Sequence, residues 1–458
     1  GRSASSSGVA LSPSDGLGAV PVAGAFRAEI WAPSKRRRDA TDAKPRERTE
    51  DAFRRKWLRE LQLLVEASGL PVMSVLGQMT DPSAVLDALG RGRRARTIRR
   101  RVLDWKEVAR FLAIAGGSHW PKSPAHFLDF LTTLIAGGAT RSKVQRALFA
   151  LAFMEQAGGV TGDGMLSKHP LVLALVQEHA MSSQGSVTHA VKKAPRTPIA
   201  FLLLFECLVC DESKPIFMRM MAWYRLVRLW TSMRYDDHRG MIPRLMRLVD
   251  GVLHATLVRS KTSGAGRRRE ELYLTIDPEA YGLMPQWIEV GWNLWQAVSM
   301  DRDFFLTLPN HDWTHWIVTE ARYTDAQAMS RSLLRNLEAV VDARGGISKV
   351  IQVPRAEEFW SEQSDRAFLV SNAACIPSLN SDWFEELGRW SSKMSSTYIR
   401  THLHRVRVIQ RTVAAAIRAS ATPLEQFGEG DLYTNWAEFM CKIGAAQDAA
   451  VRQASCVA

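Results

Sequence analysis

The sequence predicts a mainly helical α+β protein, in which a helical domain is followed by a domain that adds a small β-sheet. Three observations predict it. Apolar residues recur at helical spacing along most of the chain. Residues 252–276 instead alternate in the manner of a hairpin. Residues 183–197, rich in Ser, Gln, Gly, Thr, Lys and Pro, have the composition of a linker between the two. The 458 residues allow two or three domains at ~100–200 residues each.

The elements follow in chain order. Residues 1–45 carry Ser, Ala, Gly and Pro without helical periodicity and are expected to be disordered. The chain begins at Gly1 and not Met, and so reads as a fragment. Lys35, Arg36, Arg37 and Arg38 read either as a nuclear localisation signal or as a solvated charge run. Phe53, Trp57, Leu58, Leu61, Leu64 and Val65 predict a helix over 47–68, stopped by Gly69 and Pro71. Residues 46–94 are expected to form a helical N-terminal extension, and 95–182 a helical domain.

A basic block joins these two. Arg91, Arg93, Arg94, Arg96, Arg99, Arg100 and Arg101 are seven arginines within eleven residues, with no acid among them. The block runs into Val102, Leu103, Trp105, Val108, Phe111 and Leu112 at helical spacing. A helix with arginines on one face and an apolar stripe on the other suits a phosphate backbone; a solvated face is the alternative. Four or five short helices are expected from 104 to 182. Ser123 and Pro124 open one, Gly137 and Gly138 break it, and Thr140 is placed to cap a helix over 141–155. Arg141, Lys143 and Arg146 project from the first turns of that helix, a good place to meet phosphates. A break at 158–164 precedes a helix over 170–181.

Beyond the linker, helices are expected at 199–209 and 214–230. Strands follow at 252–259 and 271–276, the second with Leu272, Leu274 and Ile276 on one face, around a turn at 262–266. The rest reads as helical, including 401–420 and 432–451 with a Gly-rich break at 428–430. The expected domain is 198–420 and the tail 421–458. No internal repeat is visible.

Composition narrows the function. The net charge of +13 favours a polyanionic partner, nucleic acid first, against a merely soluble basic protein. The apolar 46% suffices for a sizeable core. No apolar run reaches ~18 residues, so no membrane span is expected. Five scattered cysteines make no disulfide framework, and the chain reads as intracellular. Cys207 and Cys210 form a lone C-x-x-C in an apolar helical run; a metal needs more ligands. No metal and no cofactor are expected.

Cutting a DNA strand with a side chain needs a nucleophile at phosphorus, cations on the non-bridging oxygens and an acid for the leaving 5′-oxygen. Tyrosine suits the first role, because its phenolate leaves readily in the reverse step and the phosphotyrosyl bond conserves the energy of the cut. Four segments bear on this. The first is Leu229, Trp230, Thr231, Ser232, Met233, Arg234, Tyr235, Asp236, Asp237. The second is Arg259, Ser260, Lys261, Thr262, Ser263, Gly264 at the turn of the hairpin. The third is Ser361, Glu362, Gln363, Ser364, Asp365, Arg366. The fourth runs from Leu387, Gly388, Arg389 and Trp390 to Tyr398.

In this order the segments resemble the tyrosine recombinase (phage-integrase-like) family, over roughly residues 95–405. The resemblance implies that Arg234 is the first catalytic arginine and Asp237 its supporting acid. It implies that Lys261 is the proton donor to the leaving oxygen, Arg366 the second arginine of the phosphate clamp, Trp390 a phosphate-oxygen donor and Tyr398 the nucleophile. Three departures stand out. Ser232 replaces the usual glycine. Gln363 stands where the family has histidine; glutamine donates a hydrogen bond but does not shuttle a proton. Eight residues separate Trp390 from Tyr398, one fewer than is common in the family. His402 follows Tyr398 by four residues and falls on the same helix face.

The resemblance further implies that 95–182 is a core-binding domain and 198–420 the catalytic domain. It also implies double-stranded DNA as partner, a homo-tetramer on paired sites, and no metal or nucleotide. The tail after Ser420 either exchanges between protomers or packs in cis. Arg267, Arg268 and Arg269 either contact phosphates or are solvated. The activity implied is DNA recombination or integration of a mobile-element type, in a nucleus or a bacterial cytoplasm. Two other readings stand beside it: a DNA-binding protein that kept the fold but lost catalysis, and an unrelated helical scaffold.

Overall fold

The computed structural model describes residues 46–80, 86–90, 92–182, 194–257, 272–340, 346–388 and 399–458. The α+β class holds: helices dominate, and the strands form small antiparallel sheets.

The first unit is wholly helical: α1 (Arg46–Ala67), α2 (Val72–Leu76), α3 (Leu86–Leu89), α4 (Ala95–Gly116), α5 (Pro124–Ala136), α6 (Arg141–Gly158) and α7 (Pro170–Ser182). Most of the apolar residues read from the sequence face inward, while Phe53 and Leu103 of the same stripes are exposed. Leu58, Leu61 and Val65 of α1 join Ile98, Val102, Trp105 and Leu112 of α4, Phe127 and Leu131 of α5, and Val144, Leu151 and Met154 of α6 in one core. Residues 46–94 therefore share the core of the helices that follow. Ser123 and Pro124 open α5 as expected. Thr140 does occupy the N-cap position of α6 but makes no capping bond. Its hydroxyl lies 3.2 Å from that of Ser142 instead. Gly158 ends α6 against α1's exit turn, where a Cβ would overlap Leu70.

The second unit winds around one buried helix. α8 (Ile199–Cys210) leads into α9 (Ile216–Thr231), and α10 (Tyr235–His238) follows at once. β1 (Arg247–Val249), β2 (Val252–Leu257) and β3 (Leu272–Ile276) form an antiparallel sheet in the order β1-β2-β3. Leu253 faces Ile276 and Leu257 faces Leu272 in the register. The expected hairpin is therefore present as a strand pair, while its turn, with Lys261 and the Arg267, Arg268, Arg269 triple, lies outside the described residues.

α11 (Trp287–Gln296), β4 (Thr307–Pro309), β5 (Trp316–Glu320), α12 (Tyr323–Arg335), β6 (Glu338–Val340), β7 (Ile347–Lys349), α13 (Ser364–Ala374) and α14 (Asp382–Gly388) come next. β4 pairs with β5 and β6 with β7, two hairpins in a stretch that reads as helical from sequence. α15 (Ile399–Ala419), α16 (Pro423–Gln426), α17 (Gly430–Lys442) and α18 (Gln447–Val457) complete the chain. The single helix expected over 432–451 is two. Gly444, at φ 102°, turns the chain between α17 and α18 in a conformation that a side chain would strain.

The tail packs in cis. Trp436 is buried against Trp360, with ring centroids 4.7 Å apart, and its indole N–H donates to the Ala356 carbonyl at 3.0 Å. Gln453 accepts from the Gln352 amide and donates to the Val350 carbonyl, both at 2.6 Å. Phe427, Tyr433, Met440, Ala454 and Val457 are part of the same core as α8 and α9.

Candidate active site and nucleic-acid interface

α9 poses the electrostatic problem from which the site is built. It is buried from 217 to 231, and yet carries Arg219, Arg225 and Arg228. A guanidinium out of water needs donors matched and charge compensated. Arg219 donates its Nε–H to the Val209 carbonyl at 2.9 Å. Arg225 pairs with Asp365 at 2.6 Å. Arg228 donates to both the carboxylate and the backbone carbonyl of Glu362, and lies 3.5 Å from Asp365. Each acid has a further donor: the Ser330 hydroxyl at 2.6 Å for Glu362, and the Thr197 hydroxyl at 2.8 Å for Asp365. Burial pulls the Arg228 pKa down, but Glu362 and Asp365 more than reverse it, so the ion stays charged. Tyr224, against the Arg228 guanidinium, is pushed up by burial and stays a neutral phenol.

This network sets the first turn of α13. Glu362 precedes Gln363, and Asp365 precedes Arg366. With both acids locked inward, Gln363 is turned outward to solvent at the helix N-cap and Arg366 is half-buried one turn on. Gln363 and Arg366 thus sit on a helix start that cannot rotate without breaking buried ion pairs.

The other arginine leaves the same helix. α9 ends at Thr231, whose hydroxyl donates to the Val227 carbonyl at 2.6 Å. Ser232 then takes a left-handed conformation, φ 50°, a region that glycine enters at the least steric cost. Arg234 follows as the extended N-cap of α10, half-buried. Its backbone N–H donates to the Asp237 carboxylate at 3.2 Å, and Asp237 is buried. Asp237 thereby fixes the turn that carries Arg234. Tyr235 donates to the Ala321 carbonyl at 2.7 Å and Arg239 pairs with Glu320 at 2.7 Å, tying α10 to the end of β5.

Arg234 with Asp237, and Gln363 with Arg366, are therefore placed by one buried helix that both segments join. Lys261, Trp390 and Tyr398 lie outside the described residues, as does Arg91. Of the residues that sequence reasoning missed, Arg225 and Arg228 are the most telling. Two arginines three apart on an apolar helix call for compensating acids elsewhere, and the acids that meet them, Glu362 and Asp365, are also three apart.

In the helical unit most of the charge lies outside, with Arg54 and Glu155 buried. α4 and α6 form a ladder of three contacts: Lys143 with Glu107 at 2.7 Å, Arg146 with Asp104 at 3.8 Å, and the Arg101 guanidinium 5.0 Å from the Phe149 ring centre. Burial lowers the Arg101 pKa, Asp104 opposes this, and Arg100, Arg93 and Arg146 nearby reinforce it. Arg93, Arg99, Arg100 and Arg141 are exposed, and Arg94 is half-buried at the N-cap of α4. Arg99 also stacks over Trp57 at 5.8 Å. Lys143 and Arg146 of α6 thus have acidic neighbours on α4, whereas Arg93, Arg99 and Arg100 around the start of α4 are exposed.

Cys207 and Cys210 sit part-buried in α8 as free thiols, and burial pushes Cys210 up to about 11, which disfavours the thiolate. Among the described residues no cluster of three or more His, Cys, Asp or Glu has the arrangement to hold a metal ion, and no helix is long and apolar enough to cross a membrane.

No protein-family model matches the chain. No curated protein matches it either. Among solved structures the chain is similar to the site-specific recombinase XerH, in the crystal structure of its pre-cleavage complex with the difH substrate. That similarity spans 82% of this chain and 99% of that one, at 12% identity and a TM-score of 0.34.

Proposed function

We propose that this chain cuts and rejoins double-stranded DNA through a 3′-phosphotyrosyl intermediate, as a tyrosine-type recombinase or integrase. The observation that carries the proposal is the rigid mounting of Arg234 and Arg366 on segments that one buried helix holds in place. In this reading Tyr398 attacks the phosphorus, the P–O5′ bond breaks, and Lys261 gives the leaving oxygen its proton. Arg234, Arg366 and the Trp390 indole N–H take the non-bridging oxygens. Asp237 holds the Arg234 turn, and Gln363 donates an amide hydrogen to the phosphate. The helical unit grips the duplex backbone through Arg91, Arg93, Arg94, Arg99 and Arg100, with Arg141, Lys143 and Arg146 beside them. A homo-tetramer on paired sites, a mobile-element origin and a nuclear or nucleoid location belong to the same proposal.

A nicked suicide duplex tests it. Wild-type protein is expected to form a covalent adduct at the 3′-phosphate that denaturants do not dissociate, and Tyr398→Phe is expected to form none. An adduct that survives Tyr398→Phe excludes this nucleophile. A specific observation favours a second reading, a DNA-binding protein of the same plan with impaired chemistry: Gln363 supplies no proton shuttle. DNA binding without adduct in the wild type, with adduct regained in Gln363→His, decides for it.

A further inference from the structure

We infer that Gln410 is a positioning residue: its one side-chain amide keeps α15 in register with α9 and with the edge of the β1-β2-β3 sheet. The side chain is fully buried, twelve residues after Tyr398. Its Nε2 donates to the Trp230 carbonyl at 2.7 Å and to the Thr275 carbonyl at 3.0 Å. Its Oε1 accepts the Asp277 backbone N–H at 2.9 Å.

Each partner would otherwise be an orphan. The Trp230 carbonyl lies in the last turn of α9, where no intrahelical donor remains. β3 is an edge strand, and the Thr275 carbonyl and Asp277 N–H face outward from it, as they would to a further strand. Two carbonyls and one N–H call for two donors and one acceptor, the inventory of a primary amide. A carboxylate at this position would lose both donors, and an apolar side chain would lose all three bonds. Asp277 adds a second fastening, to Arg407 at 2.8 Å and Arg411 at 3.7 Å.

The three segments so joined are those that lead, in sequence, to Arg234, to the Lys261 turn and to Tyr398. From Gln410 to the start of α15 the helix is a lever of about 16 Å, so a small tilt at the amide becomes a displacement of ångströms at that end. The catalytic consequence rests on the proposed function; the register does not.

The full chain is examined by hydrogen exchange as wild type, Gln410→Glu and Arg407→Met, the last in case the buried carboxylate prevents folding. Gln410→Glu is expected to speed exchange at least tenfold in 403–410 and 272–276, with no change in 95–182. Arg407→Met is expected to do the same by about threefold. Duplex affinity is expected to stay within threefold of wild type, while adduct formation on the suicide duplex slows at least a hundredfold in Gln410→Glu. Unchanged exchange in 403–410, or faster exchange spread evenly over α8, α11 and α13, overturns the assignment and leaves Gln410 an ordinary core residue. Wild-type protein that forms no adduct defeats the functional reading alone, since the exchange pattern still decides the register.

Discussion

The two units of this protein use arginine differently, although each buries some: Arg54 of α1 is buried in the helical unit and donates its Nε–H to the Arg93 carbonyl at 3.2 Å. In the helical unit Arg93, Arg99 and Arg100 lie on the surface, and the core beneath is made of Leu, Val, Ile, Phe and Trp. In the second unit Arg225 and Arg228 are pulled into the core and bonded to Glu362 and Asp365. Surface guanidiniums keep their long-range field and stay able to exchange counterions for a polyanion. Buried ones are neutralised locally, and what remains of them is geometry: fixed distances between α9 and α13. In one unit most of the charge faces water, and in the other Arg225 and Arg228 hold two segments together.

The largest expected effect tests the inward half of that contrast. Arg228→Met leaves Glu362 buried without its cation and Asp365 with one cation instead of two. Removing one side of a buried pair typically costs about 3–5 kcal/mol, so chemical denaturation should show a loss of that order. A loss below about 1 kcal/mol would mean that water reaches the pair and that the network does not fix α13. The outward half is tested by Arg93→Ala with Arg100→Ala. If both meet phosphates, the slope of log affinity against log salt flattens by about 2, at about 0.9 per contact. An unchanged slope would move the DNA surface away from the start of α4.

How much of this was legible depends on the range of the interaction. Local rules found α1, α5 and α7 nearly to the residue, because stripes of Leu and Phe and a Ser123–Pro124 start are written within one or two turns. The β2–β3 pair was legible for the same reason. β4, β5, β6 and β7 were not: strands of three to five residues are too short to show alternation. The mounting of the candidate site was hidden by separation. Arg225 and Asp365 are 140 residues apart, and nothing near Arg225 names its partner. What the sequence did show was a debt of charge on an apolar helix, and the i, i+3 spacing common to both pairs was the available clue. Gln410 carried no clue at all, since a lone glutamine on a helix reads as a surface residue until its three backbone partners are known.

A smaller effect sharpens the comparison through buried acids. Glu155 of α6 has no arginine opposite it; it accepts the Ser167 backbone N–H at 2.8 Å and the Ser167 hydroxyl. Burial raises its pKa, and the Ser167 bonds oppose this only in part. A carboxyl with a folded pKa above its unfolded one contributes stability that is fully present below the unfolded value. That contribution is lost as pH rises through the folded value. Glu155→Gln removes the titration, so the melting temperature of the variant relative to wild type should climb from about pH 4 to about pH 7. A difference that stays flat or falls over that range would show that the Ser167 donors compensate the charge as fully as arginine does in the second unit.

The smallest effect lies on the ladder between α4 and α6, where the outward charges meet acids. Lys143 and Glu107 are 2.7 Å apart with side chains 39% and 50% exposed. Such a pair contributes about 0.2–1 kcal/mol, so Lys143→Met should barely move the unfolding midpoint. Its effect on DNA affinity should also be smaller than that of Arg93→Ala, because a phosphate reaching Lys143 must replace Glu107 as its partner. Glu107→Gln gives the opposite sign. It removes a carboxylate that competes with phosphate, and duplex affinity at low salt should rise by about threefold, with the gain fading as salt screens the site. Affinity that is unchanged or lower in Glu107→Gln would take α6 out of the interface and confine binding to the arginines at the start of α4.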